Sequence, residues 1–184
     1  MRYPAAETAE KHSRILDQAA RLFRDKGFDG VSVSEIMKAT GLTHGPFYNH
    51  FESKQALMAE CIEHASGKAI EGLEASAPSN QGWLDYVAAY LSRAHRDGPA
   101  DGCLIAALGP EIARAPAVKV TLTEHVRQTL ERMSCHFPWG RGDRGRTKAI
   151  CALSTMVGAM VLARGIEDEA LSNEILDKVR SSLT

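Results

Sequence analysis

The sequence predicts an all-α protein with an N-terminal three-helix helix-turn-helix domain followed by a larger C-terminal helical domain. Apolar residues recur at spacings of three and four rather than two, which is the period of a helix with one buried face. Strand signals are nearly absent, and breaks rich in Gly, Pro and Ser divide the chain into about nine helical segments. We place the domain boundary after residue 54, which gives predicted domains at 1–54 and 55–184.

The predicted helices follow from caps and breaks along the chain. The first runs from about residue 6 to 26 and ends at Gly27, and Ser32 and Glu35 have the spacing of a capping box for the second. Gly41 ends the second helix, where the chain needs a positive φ. Further helices are predicted at about 43–51, 53–74, 83–96, 103–114, 116–135, 147–164 and 170–182, with loops at 78–82, 97–102 and 137–145.

Composition excludes several classes of function. The 184 residues carry a formal net charge of −1, so bulk charge does not indicate a nucleic-acid partner. Four widely spaced cysteines (61, 103, 135 and 151) lack the spacing of zinc ligands or of a disulfide framework, so we expect no metal, no cofactor and free thiols in the cytoplasm. The longest uncharged run, 149–163, is shorter than the about 20 apolar residues that span a membrane, which predicts a buried helix and no membrane partner.

Residues 32–54 have the layout of a helix-turn-helix, in which the second helix enters the major groove of DNA. Thr43 caps that helix, whose N-terminal N–H groups suit a phosphate oxygen, and Phe47 and Phe51 are expected to face inward and hold it. On geometry alone, a helical pair with a merely solvated polar face is an equal alternative, because the local charge is weak. The candidate DNA-binding residues are Ser32, Ser34, Thr43, His44, Gly45, Phe47, Tyr48, Asn49, His50 and Lys54.

The segment GLTHGPFYNHFESKQAL resembles the signature of the TetR/AcrR family of bacterial regulators. The matching positions are Gly41, Thr43, Tyr48, His50, Phe51, Ser53, Lys54 and Leu57, together with the upstream helix Ile15 to Phe23 and the break Lys26-Gly27-Phe28. The resemblance implies phosphate contacts from Thr43, Tyr48, His50 and Lys54, with His44, Gly45 and Asn49 nearest the base edges. Pro46 departs from the family's usual small residue and puts a backbone phosphate contact there in doubt.

The resemblance also implies that the C-terminal domain binds a small-molecule effector and forms a homodimer on a palindromic operator. The run 149–163 is apolar nearly all round, which favours a helix covered by a second copy over a core helix of one subunit. The candidate dimer residues are Ala152, Met156, Gly158, Ala159 and Ala163. The candidate ligand-binding residues, each also a plausible ordinary core residue, are Trp83, Tyr86, Tyr90, Cys103, Met133, Phe137, Met156 and Met160.

Cys103 lies at a loop-to-helix junction, and a helix N-terminus favours the reactive thiolate form of a cysteine. The string Gly102-Cys103-Leu104 resembles a subgroup of the family that includes the N-ethylmaleimide reductase repressor, which implies a cysteine that senses electrophiles. The alternative is that Cys103 is a small buried apolar residue.

Three other functions compete with a DNA-binding repressor. The chain contains no G-x-S-x-G, H-E-x-x-H, P-loop or dinucleotide motif, so we expect no enzyme. A helical adaptor that binds only proteins would not need the polar residues between 43 and 54. An activator of the same family is the remaining alternative, and a repressor is preferred because the family consists mostly of repressors.

Overall fold

A computed structural model describes residues 5–42 and 47–184, and within these ranges the protein is helical and has no strands. The all-α prediction is confirmed. The described residues form one short 3-10 turn, Pro99–Asp101, and ten α-helices: α1 (Ala5–Lys26), α2 (Val33–Ala39), α3 (Phe47–His50), α4 (Lys54–Glu74), α5 (Asn80–Tyr90), α6 (Arg93–Asp97), α7 (Leu104–Ile112), α8 (Pro116–His136), α9 (Asp143–Gly165) and α10 (Glu169–Leu183).

Polar side chains begin several of these helices by binding their free backbone N–H groups. The predicted capping box of α2 is present: Ser32 Oγ accepts the Glu35 N–H at 3.2 Å, and Glu35 Oε2 accepts the Ser32 N–H at 2.8 Å. Ser53 caps α4 by accepting the Ala56 N–H at 3.0 Å. These caps explain why α2 and α4 begin where the sequence predicts.

The predicted helix 83–96 is wrong, because the structure contains two helices there. α5 ends at Tyr90 and α6 begins at Arg93, since Ser92 has extended backbone and its hydroxyl accepts the His95 N–H at 3.1 Å. This extra break gives the described residues ten helices rather than about nine. The loops predicted at 78–82 and 137–145 are also shorter, because α5 begins at Asn80 and α9 at Asp143.

The apolar side chains pack into two buried clusters. The first joins α1, α2, α3 and the N-terminal half of α4 to one side of α7 and the start of α8. Its fully buried members include Ile15, Phe23, Ile36, Phe47, Leu57, Ile62, Ile112 and Val118. The helix-turn-helix region therefore shares its core with α7, which follows it by about fifty residues.

The second cluster forms around α9, which packs against α8 on one side and α10 on the other. Its buried members include Val87 from α5, Met133 from α8, Met156 and Met160 from α9, and Leu176 from α10. Among the described residues α9 is the one helix long and apolar enough to cross a membrane, a property it shares with core helices of soluble folds. One face of α9 is buried in this cluster.

Candidate nucleic-acid interface and internal cavity

The turn between α2 and α3 has the predicted geometry at its start. Gly41 has φ +72°, a value that favours glycine, and the Leu42 N–H donates to the Met37 carbonyl at 3.0 Å. The predicted contacts Thr43, His44 and Gly45 lie outside the described residues. α3 begins at Phe47 and carries the other candidate DNA-binding residues of the recognition helix, Phe47, Tyr48, Asn49 and His50.

Phe47 is not a DNA-contacting residue, and its inclusion among them is wrong. Its side chain is 0% exposed and packs in the first cluster, with its ring centroid 5.6 Å from that of Phe51. Tyr48, the next residue, is 66% exposed and touches the Phe47 ring edge-on at 5.1 Å. Phe47 thus holds α3 in place while Tyr48 and the exposed Asn49 face outward.

His50 lies at the junction of α1, α3 and α4. The His12 ring stacks on Phe51 at 4.6 Å, and its centroid is 5.7 Å from that of His50. His12 Nε2 also lies 2.8 Å from Glu60 Oε2, which links α1 to α4. Burial, with a smaller contribution from nearby His12, lowers the pKa of His50, so its imidazole is neutral near pH 7.

The remaining candidate DNA-binding residues are Ser32, Ser34 and Lys54, and they differ in exposure and in hydrogen bonding within the protein. Ser32 and Ser34 are both exposed, but the Ser32 hydroxyl also donates to Glu35 Oε2 at 2.9 Å within the capping box. Lys54 is partly buried, and its Nζ donates to the carbonyl of Phe28. In this structure Lys54 therefore fastens the start of α4 to the turn after α1.

A second contact fastens the same turn to the C-terminal half of the chain. The Phe28 N–H donates to Glu111 Oε2 of α7 at 2.7 Å. Gly27, with φ +77°, leaves room for that carboxylate, because a Cβ there would lie 2.6 Å from Glu111 Oε1. α7 therefore holds the end of α1 both through the shared core and through a partly buried carboxylate.

A cavity of about 760 Å³, open to solvent, lies between α1, α4, α5 and α8, and its volume is typical of sites for drug-sized ligands. Its lining is mostly apolar and includes Ala20, Arg21 and Arg24 of α1, Ala65, Ala69 and Leu73 of α4, Tyr86 and Tyr90 of α5, Cys103, and His125 and Thr129 of α8. α1 thus contributes both to the helix-turn-helix core and to a wall of this cavity.

Three of the eight candidate ligand-binding residues line the cavity, namely Tyr86, Tyr90 and Cys103. The other five are buried in the second cluster and do not line this cavity, so the structure gives their assignment no support. These are Trp83, Met133, Phe137, Met156 and Met160. Trp83 packs edge-on against Trp139 at 4.7 Å, and its Nε1 donates to the Leu183 carbonyl at 2.8 Å.

Sequence reasoning missed His125 and Thr129, which line the cavity from α8. They are 4% and 8% exposed and stand four residues apart, so they share one face of the helix. The signal in the sequence that could have found them is a pair of polar residues, four positions apart, on the buried face of a helix. The α1 residues gave no such signal, because their place in the wall depends on how the two halves of the chain pack.

Cys103 is the N-cap of α7, partly buried, and its thiol is free. Its N–H donates to His95 Nε2 at 2.8 Å, while His95 Nδ1 lies 2.6 Å from the Tyr90 carbonyl. A carbonyl only accepts, so Nδ1 carries the proton and Nε2 is the acceptor. Burial lowers the pKa of His95, which agrees with this neutral tautomer.

The candidate dimer residues on α9 are mostly wrong, because their own subunit covers them. Ala152, Met156, Ala159 and Ala163 are at most 4% exposed, and only Gly158 of the set is partly exposed. The exposed apolar residues lie on the opposite face of α9 and on α10: Ile150 (44%), Val161 (39%), Leu162 (57%) and Leu171 (44%). We call these four residues the α9–α10 surface.

Residues 15–61 match the family described as bacterial regulatory proteins, tetR family. The chain therefore contains a TetR-family domain at these residues. The matched range runs from α1 into α4 and includes the helix-turn-helix, the buried Phe47 and the exposed Tyr48. It ends before the cavity residues of α5 and α8, so most of the cavity lies outside the TetR-family domain.

Several HTH-type transcriptional regulators from bacteria are similar to part of the chain. AcrR of Shigella flexneri is 44% identical over 57 residues (31% of this chain, 26% of AcrR), and YerO of Bacillus subtilis is 37% identical over 65 (35% and 22%). The HTH-type transcriptional repressor NemR of Escherichia coli is 25% identical over 128 residues (67% and 61%). The matches thus span less than two thirds of each relative's own length.

Solved structures show that the likeness of fold extends beyond the TetR-family domain. The crystal structure of reduced Escherichia coli NemR has a TM-score of 0.79 and 18% identity, and covers 95% of both chains. A TetR-family regulator from Agrobacterium tumefaciens has a TM-score of 0.75 and 23% identity, and covers 96% of this chain and 98% of that one. Nearly the whole chain therefore has the TetR-family fold.

Replacing Glu111 by Ala is expected to loosen the TetR-family domain from α7. The Phe28 N–H loses its carboxylate partner, so the free energy of unfolding should fall by about 1.5–3 kcal/mol, as for other hydrogen bonds to charged groups. Urea unfolding of the two proteins measures the change. Glu124→Ala is the control, because Glu124 pairs only with the exposed neighbours Arg127 and Gln128; an equal loss in both variants would contradict the role of Glu111.

The protein is expected to lose stability as the pH falls below about 6.5, the pKa of histidine in an unfolded chain. Burial lowers the pKa of His125 in the folded state. The unfolded chain therefore binds more protons in this range, and protonation favours unfolding. Urea unfolding at pH 7.5 and 5.5 should show the loss, and His125→Gln should reduce it. Equal losses in the two proteins would contradict a buried neutral His125.

Proposed function

We propose that the protein is a transcriptional repressor that binds a palindromic DNA operator as a homodimer and is released by a small-molecule effector. The observation that carries this proposal is the TetR-family domain, in which a buried Phe47 presents Tyr48 and Asn49 at the surface. The relative NemR is named as a repressor, which favours repression. The proposal includes a cytoplasmic location and no catalytic activity.

The DNA contacts come from α3, from the residues before it and from the start of α2. Tyr48 and His50 bind phosphates together with Thr43, and Lys54 joins them if it releases the Phe28 carbonyl. His44, Gly45 and Asn49 lie nearest the bases, and Ser32 and Ser34 contact the backbone. One short helix reads few base pairs, so specific binding needs two copies about 34 Å apart, one turn of DNA.

The second copy packs on the α9–α10 surface. Four large apolar side chains there are between 39% and 57% exposed, and they lie on α9 and α10, two helices that pack together. Clusters of exposed apolar side chains mark interaction sites in soluble proteins. A two-fold interface across this surface would cover them with their own counterparts.

The effector acts through α1, because α1 is shared by the cavity and the helix-turn-helix. Arg21 pairs with Asp101, and Arg24 Nε donates to the Ala100 carbonyl at 2.7 Å. Both cations line the cavity, and both bind the 3-10 turn just before Cys103. A ligand that moves this wall moves α1, and an affinity difference of a few kcal/mol between the two states is enough to release DNA.

Modification of Cys103 is a second trigger within the same proposal. The Arg164 guanidinium lies close enough to Cys103 to interact with it electrostatically. It is held there by the carbonyls of His95 (2.6 Å) and Arg96 (3.0 Å). Cys103 has a free thiol and lines the cavity, so an electrophile that enters the cavity can reach it.

Footprinting on the DNA upstream of the protein's own gene tests the proposal. A protected palindrome is expected, and N-ethylmaleimide should abolish protection by the native protein but not by Cys103→Ser. Protection that survives N-ethylmaleimide would restrict the trigger to non-covalent ligands. Failure to bind any fragment of genomic DNA at low salt would overturn DNA binding itself.

An activator of the same family is the alternative function. Transcription in vitro from the protected promoter separates the two: a repressor lowers the transcript level and an activator raises it.

A further inference from the structure

The guanidinium of Arg24 lines the cavity and forms no ion pair with any described residue. Arg24 is partly buried, and its Nε donates to the Ala100 carbonyl at 2.7 Å. Among the described residues its Nη1 and Nη2 have no hydrogen-bond partner, and both keep surface accessible to solvent. These two nitrogens are therefore donors that a molecule in the cavity can reach.

The other basic side chains that line the cavity from α1 and α4 each have an acidic partner. Arg21 pairs with Asp101, and Lys68 pairs with Asp17. His64 Nε2 lies 2.7 Å from the same Asp17 carboxylate. A ligand that bound any of these three groups would have to compete with an existing ion pair, whereas a ligand that bound Arg24 would not.

Asp85, the carboxylate that lines the cavity from α5, has no cation partner among the described residues, but it is more exposed than Arg24. Its Oδ1 accepts the Gln81 side-chain amide at 2.9 Å, and water solvates an exposed carboxylate. Burial lowers the pKa of Arg24, with a smaller opposing effect of Asp101. Because Arg24 has lost hydration, an anion beside it is stabilised more than a cation beside Asp85.

A second guanidinium that pairs with no described carboxylate lies at the same end of the cavity. Arg164 donates to the carbonyls of His95 and Arg96. Arg24 and Arg164 both interact electrostatically with Cys103, which lines this end of the cavity. Arg164 itself is outside the cavity lining, so it contributes through its charge. Two such cations around Cys103 give this end of the cavity an excess of positive charge.

We propose that the cavity binds an organic monoanion, a carboxylate on an apolar body, and that Arg24 pairs with the carboxylate. The free Nη1 and Nη2 can donate to the two oxygens of one carboxylate. The apolar body packs against apolar side chains of the same cavity, which include Ala65, Leu73, Leu104 and Leu153. This inference rests on the proposed function, because it names the chemical class of the effector.

Arg24 also connects the ligand to the helix-turn-helix region. Its neighbour in α1, Phe23, is 0% exposed and packs in the first cluster. The Arg24 guanidinium holds α1 to the turn before α7 through the Ala100 carbonyl. A carboxylate that draws the guanidinium into the cavity competes with this contact, so it loosens α1 from that turn.

Calorimetric titration of the full chain with three probes of similar shape tests the ligand class. These are 2-naphthoate, which is an anion, 2-naphthamide, which is neutral, and 2-naphthylmethylammonium, which is a cation. We expect naphthoate to bind about tenfold more tightly than either of the others, as hydrogen bonds between charged groups allow. Equal affinities, tighter binding of the amide or of the ammonium, or no binding of naphthoate would overturn the proposal.

Substitutions of Arg24 test the residue. Arg24→Met keeps most of the length of the side chain and removes its charge, so it should abolish the preference for naphthoate over naphthamide. Arg24→Gln should abolish it as well, and it keeps a donor for the Ala100 carbonyl if the Met variant does not fold. Arg14→Met is the matched control on α1, since Arg14 is exposed and lies outside the cavity. A preference that survives in a folded Arg24 variant would overturn the assignment.

Operator footprinting of the native protein with the same probes separates this inference from the proposed function. Naphthoate should release the operator at concentrations at which naphthamide does not. Tighter binding of naphthoate without release would support the ligand class and overturn its role as the effector. A protein that protects no DNA would overturn the repressor, and the calorimetric preference would still decide the chemistry of the cavity.

Discussion

Replacing Val161 and Leu162 together by Glu is expected to convert the protein into a monomer. These side chains are 39% and 57% exposed on the α9–α10 surface, and burying two carboxylates against their counterparts in a second copy is strongly unfavourable. Operator affinity should fall about a thousandfold or more, toward the level of non-specific binding, because one recognition helix cannot read a palindrome. Analytical ultracentrifugation and footprinting measure the two effects.

Val120→Glu is the matched control for this double substitution. Val120 is 78% exposed on α8 and lies outside the α9–α10 surface, so the variant should stay dimeric and bind its operator normally. Both proteins should show the same helical content by circular dichroism. A Val161→Glu, Leu162→Glu protein that sediments as a dimer would show that the two copies meet elsewhere.

Phe47→Ala is expected to lower the free energy of unfolding by about 3–5 kcal/mol, as for other fully buried aromatic side chains. Phe47 is 0% exposed and joins α3 to the first cluster, so its loss leaves a cavity directly beneath the recognition helix. Urea unfolding measures the change. Phe47→Leu keeps most of the volume and should lose much less, which provides a folded protein if the Ala variant does not accumulate.

Unlike Phe47→Ala, Tyr48→Ala should leave the free energy of unfolding nearly unchanged and should weaken binding to the operator. Tyr48 is 66% exposed, so the free energy of unfolding should change by less than about 1 kcal/mol. Its proposed phosphate contact predicts a fall in operator affinity of about three- to tenfold, the value of one hydrogen bond. If Tyr48→Ala binds DNA like the native protein, the outward face of α3 is not the DNA-contacting face.

Local signals predicted the helix-turn-helix region well. The capping box of Ser32 and Glu35 and the positive φ of Gly41 depend on a few neighbouring residues, and the structure contains both. The break at Ser92 was missed because no Gly or Pro marks it and the apolar spacing continues through it. The extended backbone of Ser92 and the hydrogen bond from the His95 N–H to its hydroxyl show that a new helix begins there.

The cavity and the dimer surface were harder to predict, because both depend on how the helices pack. Residue type cannot distinguish Met156, which is fully buried, from an apolar residue that lines a cavity. Similarly, α9 is apolar on all sides, so its sequence does not show which face meets its own subunit. Packing against α8 and α10 turns Ala152 and Ala159 inward and leaves Leu162 outside.

α1 contributes both to the core of the helix-turn-helix region and to the cavity wall, and this affects how hybrid regulators can be built. Joining the first 54 residues of a TetR-family regulator to the remainder of this chain would exchange the proposed DNA-binding part, but it would also replace Ala20, Arg21 and Arg24 in the cavity wall. The graft would then lose the partner of Asp101 and the donor to the Ala100 carbonyl. A chimera designed to keep the proposed response to an effector should therefore retain the cavity-facing side of α1 and exchange only α2 and α3.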